Sequence, residues 1–334
     1  MRVVVALGGN ALLERDERPD AVIQRRHVRQ AAAALAPLAA DHQLVLCHGN
    51  GPQVGVLALE SQADTTLSQP YPLDVLVAQT QGMIGYWLVQ ELGNAGVAQH
   101  AVCVMSQTVV DASDPAFGRP TKFIGASYDQ GEAQALAARL GWTVAADGPR
   151  WRRVVASPRP LGLVEIETVR SLADAGALVI CGGGGGVPVI RSNAGELTGV
   201  EAVVDKDLTA AGLAITLTAD RLLVLTDVPA VIRGYGTPDA QPIQAIDTVA
   251  LSAMTFPAGS MGPKVEACIR FVSASGRPDA IDALTDAADI LAGRAGTTIS
   301  AAQPSVEAGQ GADQGSHGRD GSPQGETVNA NGVR

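Results

Sequence analysis

A chain of 334 residues that is 46% hydrophobic but only 3% aromatic can fill one large α/β domain or two lobes, with a core of Ala, Val, Leu and Ile. Its formal net charge of -10 argues against nucleic acid or an anionic membrane as partner, since an acidic surface attracts neither. Cys47, Cys103, Cys181 and Cys268 are widely spaced with no CxxC pair, which argues against a disulfide framework or zinc site and predicts buried, reduced thiols. No segment approaches the roughly 18 apolar residues of a membrane span, and the chain opens on a core strand instead of a signal peptide. A cytoplasmic protein is the expectation.

The first apolar run, residues 3–7, stops at Gly8-Gly9-Asn10, and helical spacing follows over 22–38. The second, 44–47, runs into His48-Gly49-Asn50-Gly51-Pro52 before helical stretches at 53–62 and 73–92. Strand, glycine turn and helix in that order aim backbone N–H groups and a positive helix end at an anion. Glycine matters there because a Cβ would hold the ligand off the backbone. Two such turns in one sheet predict two anionic groups side by side, which points to phosphoryl transfer. His48 reads either as a general base or as the side chain that orients the turn by hydrogen bonding; the second is the expectation.

A strand is expected over 101–105. Residues 111–160 then break the rhythm, rich in Pro, Gly, Arg and Trp with one helical pattern at 132–140. They read as an inserted small lobe or lid standing off the main sheet. A helix over 165–173 and a strand over 177–181 lead into five glycines, Gly182 to Gly186. Alone, such a run also reads as a flexible linker. Its place between a buried strand and the apolar run 187–190 favours a loop that contacts a phosphate or carboxylate.

Asp205 suits the N-cap of the next helical pattern, which contains Leu208, Ala211, Gly212 and Ile215, and Asp207 suits its positive end. Lys206 does not, because a cation in the first turn is disfavoured by about 0.3–1 kcal/mol. Taken singly it reads equally well as a surface lysine paired with its flanking aspartates. After a strand over 222–226, Pro263 and Lys264 open another helix, over 264–272, in which Val265, Ile269 and Val272 mark the buried face. Lys264 repeats the anomaly, and the chain has only three lysines, Lys122, Lys206 and Lys264. All three sit beside Gly, Pro or Asp clusters, so a shared anionic target becomes the better reading. A last strand is expected near 280–284, and the polar stretch 303–334 is expected to be disordered. Alternating strands and helices over the first 300 residues mean parallel strands with right-handed crossovers, a three-layer α/β/α fold with an open, mainly parallel sheet. No Walker loop, GxGxxG after the first strand, Ser-His-Asp spacing or HExxH is present, so the standard nucleotide, hydrolase and metalloprotease signatures have no support.

These residues resemble the amino-acid kinase superfamily and, within it, the carbamate kinases. The resemblance rests on Ala6-Leu7-Gly8-Gly9-Asn10-Ala11, His48 through Gly55, Tyr71-Pro72-Leu73-Asp74, Gln81-Gly82-Met83-Ile84-Gly85-Tyr86 and Pro120-Thr121-Lys122. It continues through Trp151-Arg152-Arg153, the glycine run with Val187-Pro188, Gly199 through Asp207, and Pro257 through Lys264. It implies one kinase domain over 1–302, with 111–160 as a protruding subdomain, acting as a homodimer. The implied reaction is phosphoryl exchange between ATP and carbamate, giving ADP and carbamoyl phosphate, with Mg²⁺ carried mainly by the nucleotide phosphates. ATP production at the end of arginine breakdown is the implied setting.

Gly8, Gly9, Asn10, Gly49, Asn50 and Gly51, with Gly184 and Gly185 nearby, would hold carbamate and the γ-phosphate. Lys206 would touch the transferring group, with Asp205 orienting it and Lys122 brought over from the lid. The nucleotide would lie over Thr226, Asp227, Val228, Tyr235 and Met261, with Lys264 on its phosphates. One departure from the superfamily is Ala6, where many members place a lysine; Lys122 is expected to supply that charge. Phe123, Ala126 and Ala156 replace prolines usual in the family, which bears on lid rigidity. Rival readings are another superfamily member phosphorylating a small carboxylate and a non-catalytic ligand-binding homologue.

Overall fold

The computed structural model describes residues 1–9, 12–14, 17–256 and 259–302; Asn10 and the polar stretch 303–334 lie outside them. β1 (Arg2–Leu7) is followed by α1 (Ala21–Asp41), β2 (Gln43–His48), α2 (Gly51–Ala63), α3 (Leu73–Asn94) and β3 (Ala101–Cys103). β4 (Gln107–Val110) leads into an excursion of β5 (Lys122–Tyr128), α4 (Gln130–Leu140), β6 (Thr143–Asp147) and β7 (Arg150–Val155), closed by β8 (Pro160–Leu163). Then come α5 (Ile166–Asp174), β9 (Leu178–Ile180), β10 (Val187–Arg191), β11 (Leu197–Gly199), α6 (Lys206–Thr216) and β12 (Arg221–Thr226). The hairpin β13 (Val231–Arg233) and β14 (Gln241–Ile243) precedes β15 (Ala245–Asp247), α7 (Thr248–Ser252), α8 (Met261–Ser275), β16 (Asp279–Ala283), α9 (Ala287–Leu291) and β17 (Thr297–Ser300).

The main sheet runs β15-β17-β16-β12-β1-β2-β9-β3, parallel throughout except where β16 meets β17. β1 lies at its centre, with Val4 opposite Val45 on one side and Leu222 on the other. Its run of Val and Leu has no polar alternation because both faces are buried, as in parallel sheets generally. Val3, Val5 and Leu7 pack with Val28 and Leu35 of α1 and Leu88 of α3. Val4 and Ala6 point the other way, onto Ala211 and Leu213 of α6 and Cys268 and Val272 of α8. That split of one strand between two cores gives the expected three layers. Cys47, Cys181 and Cys268 are buried, Cys103 is half-buried, and all four are free thiols.

Because β1 and β2 are parallel neighbours, their glycine turns leave the sheet at the same edge. The Gly8 N–H donates to the Leu225 carbonyl (2.9 Å) and the Gly49 N–H to the Leu7 carbonyl (3.0 Å). The strand expected over 101–105 is observed over Ala101–Cys103; the Val104 N–H still donates to the Ile180 carbonyl (2.9 Å), and beyond it the Ser106 N–H turns to Gln81 Oε1 (2.9 Å). The excursion is more ordered than one helical pattern suggested. β5, β7 and β6 form a three-stranded antiparallel sheet, covered by α4, which Asp129 caps at Glu132 N and Gly141 ends at φ +68°. A second sheet, β11-β10-β4-β8, holds the residues on either side of it.

Candidate active site

Asn50 stands at the N-terminus of α2, but its side chain does not cap the helix. It donates instead to Thr80 Oγ1 (2.8 Å). The first-turn N–H groups of α2 are therefore left without a side-chain cap at the edge of the cleft, the arrangement that favours an anion. His48 is buried and bonds through Nδ1 to the Gly49 carbonyl at 3.0 Å. Burial pulls its pKa down to about 4, so at neutral pH it is an uncharged brace for the turn. It does not line the cleft.

The three lysines converge. Lys122 Nζ lies 2.5 Å from Asp205 Oδ2, while Asp205 Oδ1 accepts from the N–H groups of Asp207 (2.9 Å) and Leu208 (3.3 Å). One carboxylate thus caps α6 and holds a lysine from β5. Asp207 bridges the other two: Oδ1 takes Lys206 Nζ and Oδ2 takes Lys264 Nζ at 3.1 Å. Burial opposes charge on Asp207, yet the two lysines outweigh it and its pKa is lowered. Burial also lowers the pKa of Lys206, against the pull of Asp207. For Lys264 the desolvation is overcome by Asp207 and Asp205, and the pKa is raised.

Around this network lies a cleft of about 620 Å³. Its lining takes in Gly8, Gly9, Gly49, Asn50, Gly51, Gly184, Lys122, Asp205, Lys206, Thr226, Asp227, Val228, Tyr235, Met261 and Lys264. Every site residue expected from the sequence and described here meets in this one space, except Gly185. The Gly185 N–H donates inward to the Gly182 carbonyl (2.9 Å), and Gly184 is the member of the run that reaches the cleft. Asn10 falls outside the described residues.

Sequence reasoning missed Asp207 as a site group, although Lys206 and Lys264 both sitting where a cation is disfavoured signalled a shared carboxylate. It also missed Asp147, Arg152 and Phe123 from the lid, which line the same space. Phe123 packs over Gly259, where an added Cβ would lie 2.5 Å from its ring, and the Arg152 guanidinium sits 5.7 Å from the ring centroid. No spacing in the sequence announces that contact, since lid and α8 are far apart in the chain.

The sequence matches the family model described as "Amino acid kinase family" over residues 1–281. It is 51% identical over 289 residues to a carbamate kinase of Rhizobium meliloti (strain 1021), covering 86% of this chain and 89% of that protein. It is 47% identical over 283 residues to that of Escherichia coli (strain K12), covering 85% and 94%. Among solved structures, carbamate kinase from Giardia lamblia bound to AMP-PNP superposes with a TM-score of 0.80 at 42% identity, over 90% of this chain and 98% of that one. The citric acid complex gives a TM-score of 0.85 at 41% identity, with the same coverage. With a family model matched over residues 1–281 and carbamate kinases at 47–51% identity over most of its length, this chain belongs to the amino acid kinase family, on its carbamate kinase branch.

Proposed function

We propose that the protein transfers a phosphoryl group reversibly between ATP and carbamate, giving ADP and carbamoyl phosphate. The observation that carries this is the convergence of all three lysines of the chain on one cleft between two glycine turns. Carbamate is already an anion, so its oxygen needs no base to attack. The barrier lies in bringing it against a polyanion and spreading charge over the equatorial oxygens in line. Fixed cations and backbone donors lower that barrier without reorganising. The site has that composition: lysines held in place by Asp205 and Asp207, glycine turns and the uncapped start of α2 lining the cleft, and a histidine kept neutral behind them.

In this reading Gly8, Gly9, Gly49, Asn50, Gly51 and Gly184 hold carbamate and the transferring group. Lys206 and Lys122 face its oxygens, and Asp205 keeps Lys122 in place while capping the helix that bears Lys206. Thr226, Asp227, Val228, Tyr235 and Met261 seat the nucleotide, and Lys264 meets its phosphates. Mg²⁺ enters as part of the nucleotide substrate. The residues present fit such an ion: Mg²⁺ is commonly held by phosphates with one or two carboxylates, and Asp205, Asp207 and Asp227 line the cleft. Residues 111–160 act as a subdomain that carries Lys122 over the cleft. The kinase domain spans 1–302 and works as a homodimer in the cytoplasm, making ATP at the end of arginine breakdown. Among the described residues no helix is long and apolar enough to cross a membrane.

The test is a coupled assay of ATP formation from ADP and carbamoyl phosphate. ATP production that depends on both substrates is expected. Its absence beside an active control enzyme, or a preference for an amino-acid acyl phosphate, overturns the proposal.

A further inference from the structure

Five consecutive glycines lose more backbone entropy on ordering than any other pentapeptide, so a fixed conformation needs identifiable restraints. The space around the run explains the residue type. A Cβ would lie 2.4 Å from His48 Nε2 at Gly183, 2.1 Å from Asn50 Nδ2 at Gly184, 2.4 Å from the Val204 carbonyl at Gly185 and 2.0 Å from Thr108 Oγ1 at Gly186. Gly182, Gly184, Gly185 and Gly186 also have φ between +63° and +89°. Close packing alone does not choose which way the peptide groups of such a loop face.

Hydrogen bonds make that choice. The Gly182 N–H donates to Ser106 Oγ (2.7 Å), and Ser106 is itself held by Gln81, whose Nε2 donates to the Ser106 carbonyl (3.0 Å). The Gly185 and Gly186 N–H groups turn inward to the carbonyls of Gly182 (2.9 Å) and Gly183 (3.0 Å). The Gly185 carbonyl accepts two hydroxyls, Thr108 Oγ1 at 2.6 Å and Thr209 Oγ1 at 2.9 Å. Thr108 belongs to β4 and Thr209 to α6, three residues beyond Lys206; both are essentially buried. Thr209 Oγ1 also lies 3.2 Å from the Asp205 carbonyl. A buried carbonyl with two hydroxyl donors is fixed in direction, and here it ties the glycine loop to the helix that presents Lys206.

We infer that Thr108 and Thr209 are positioning residues: their shared grip on the Gly185 carbonyl sets the Gly184 segment against Asn50 and Lys206 for the acceptor substrate. The inference rests on the phosphoryl-transfer reading above and specifies which substrate end the pair serves. Neither residue lines the cleft, so neither touches substrate.

The experiment compares wild type with Thr108→Val, Thr209→Val, the double variant and Thr209→Ser. Valine keeps the volume and removes the donor; serine restores it. In ATP formation from ADP and carbamoyl phosphate, each valine variant should raise KM for carbamoyl phosphate about five- to tenfold, the effect of losing one hydrogen bond. KM for ADP should stay within about twofold, and Thr209→Ser should recover most of the loss. Amide hydrogen exchange of the segment 182–186 should speed up in the valine variants, a readout independent of turnover. Equal changes in both KM values, or lowered melting temperature with neither KM nor loop exchange altered, overturns the inference. An inactive wild type with loop exchange accelerated as expected would defeat the substrate reading and leave the clamp standing.

Discussion

Gly55 of α2 and Gly125 of β5 cross backbone to backbone: a Cβ on Gly55 would lie 2.0 Å from the Gly125 Cα and 2.3 Å from its nitrogen. Gly125 has φ +71° and sits at the irregularity in the pairing of β5 with β7. The lid strand that starts at Lys122 therefore rests directly on the helix whose N-terminus faces the cleft. Gly55→Ala has only backbone to push against, so the lid must shift. Turnover should fall at least tenfold, with a stability loss of about 1–3 kcal/mol from overpacking. Gly82→Ala in α3 is the control. Nothing lies within 4 Å of its Cβ position, and alanine there should stabilise by about 0.4–1 kcal/mol. Steady-state kinetics and urea unfolding of the two variants check the contrast.

Lys122 is the lysine that arrives from the lid, and the first strand offers only the buried Ala6 near the same end of the sheet. If Lys122 neutralises the transferring group, Lys122→Ala should lower kcat on the order of 10²-fold, the scale of losing one preorganised donor. Its side chain is 28% exposed but its partner Asp205 is buried, so some stability should be lost as well, and kcat is to be compared well below the melting temperature of the variant. Near-normal turnover in the coupled assay would rule the role out.

Legibility followed burial. β1, β2 and β12 are apolar on both faces and end in glycine or Thr-Asp turns, so their places and the cleft at their carboxyl ends could be read from the chain. The helix faces of Val265, Ile269 and Val272 were equally plain. The lid strands were not: β7 is Arg150-Trp151-Arg152-Arg153 followed by two valines, half-buried and charged, with no clean alternation to read. Lys206 and Lys264 stood out because each sat where helix electrostatics disfavours a cation, and Lys122 because it is the only other lysine in the chain. Their bridging partner Asp207 did not, because an acid in a first helical turn already has a local explanation. Gly185 misled for a related reason. Sequence shows that a glycine can approach a ligand but not which way its peptide faces, and here Thr108 and Thr209 decide that.

Asp207 is the only negative group hydrogen-bonded to Lys206 and Lys264 among the described residues. Asp207→Asn leaves two buried ammonium groups facing each other, and breaking a buried pair costs about 3–5 kcal/mol. In the proposed function a nucleotide brings negative charge to the same place. Saturating ATP should therefore raise the melting temperature of Asp207→Asn by more degrees than it raises that of wild type. Thermal unfolding with and without ATP makes the comparison, and equal increments would show that the lysines do not meet the phosphates.

Asp279 opens β16 behind the site. It is buried, and its Oδ2 has no hydrogen-bond partner. Burial pushes its pKa up to about 8, against weaker opposing pulls from Cys268 and the Ala280 N–H. The unfolded carboxyl titrates near 3.9, so the folded value is the higher one. Below about pH 4 both states are protonated and the residue contributes no penalty. As pH rises from about 4 to 8 the unfolded chain releases a proton that the native state retains, and stability declines; above about 8 both are ionised and the loss levels off. Asn cannot ionise, so Asp279→Asn should escape the decline. Its stability advantage over wild type should widen by about 1.4 kcal/mol per pH unit and reach the order of 5 kcal/mol near pH 8. Urea unfolding of both proteins at pH 5, 6.5 and 8 tests this. A difference that stays constant across that range would mean that Asp279 is already ionised in the folded protein.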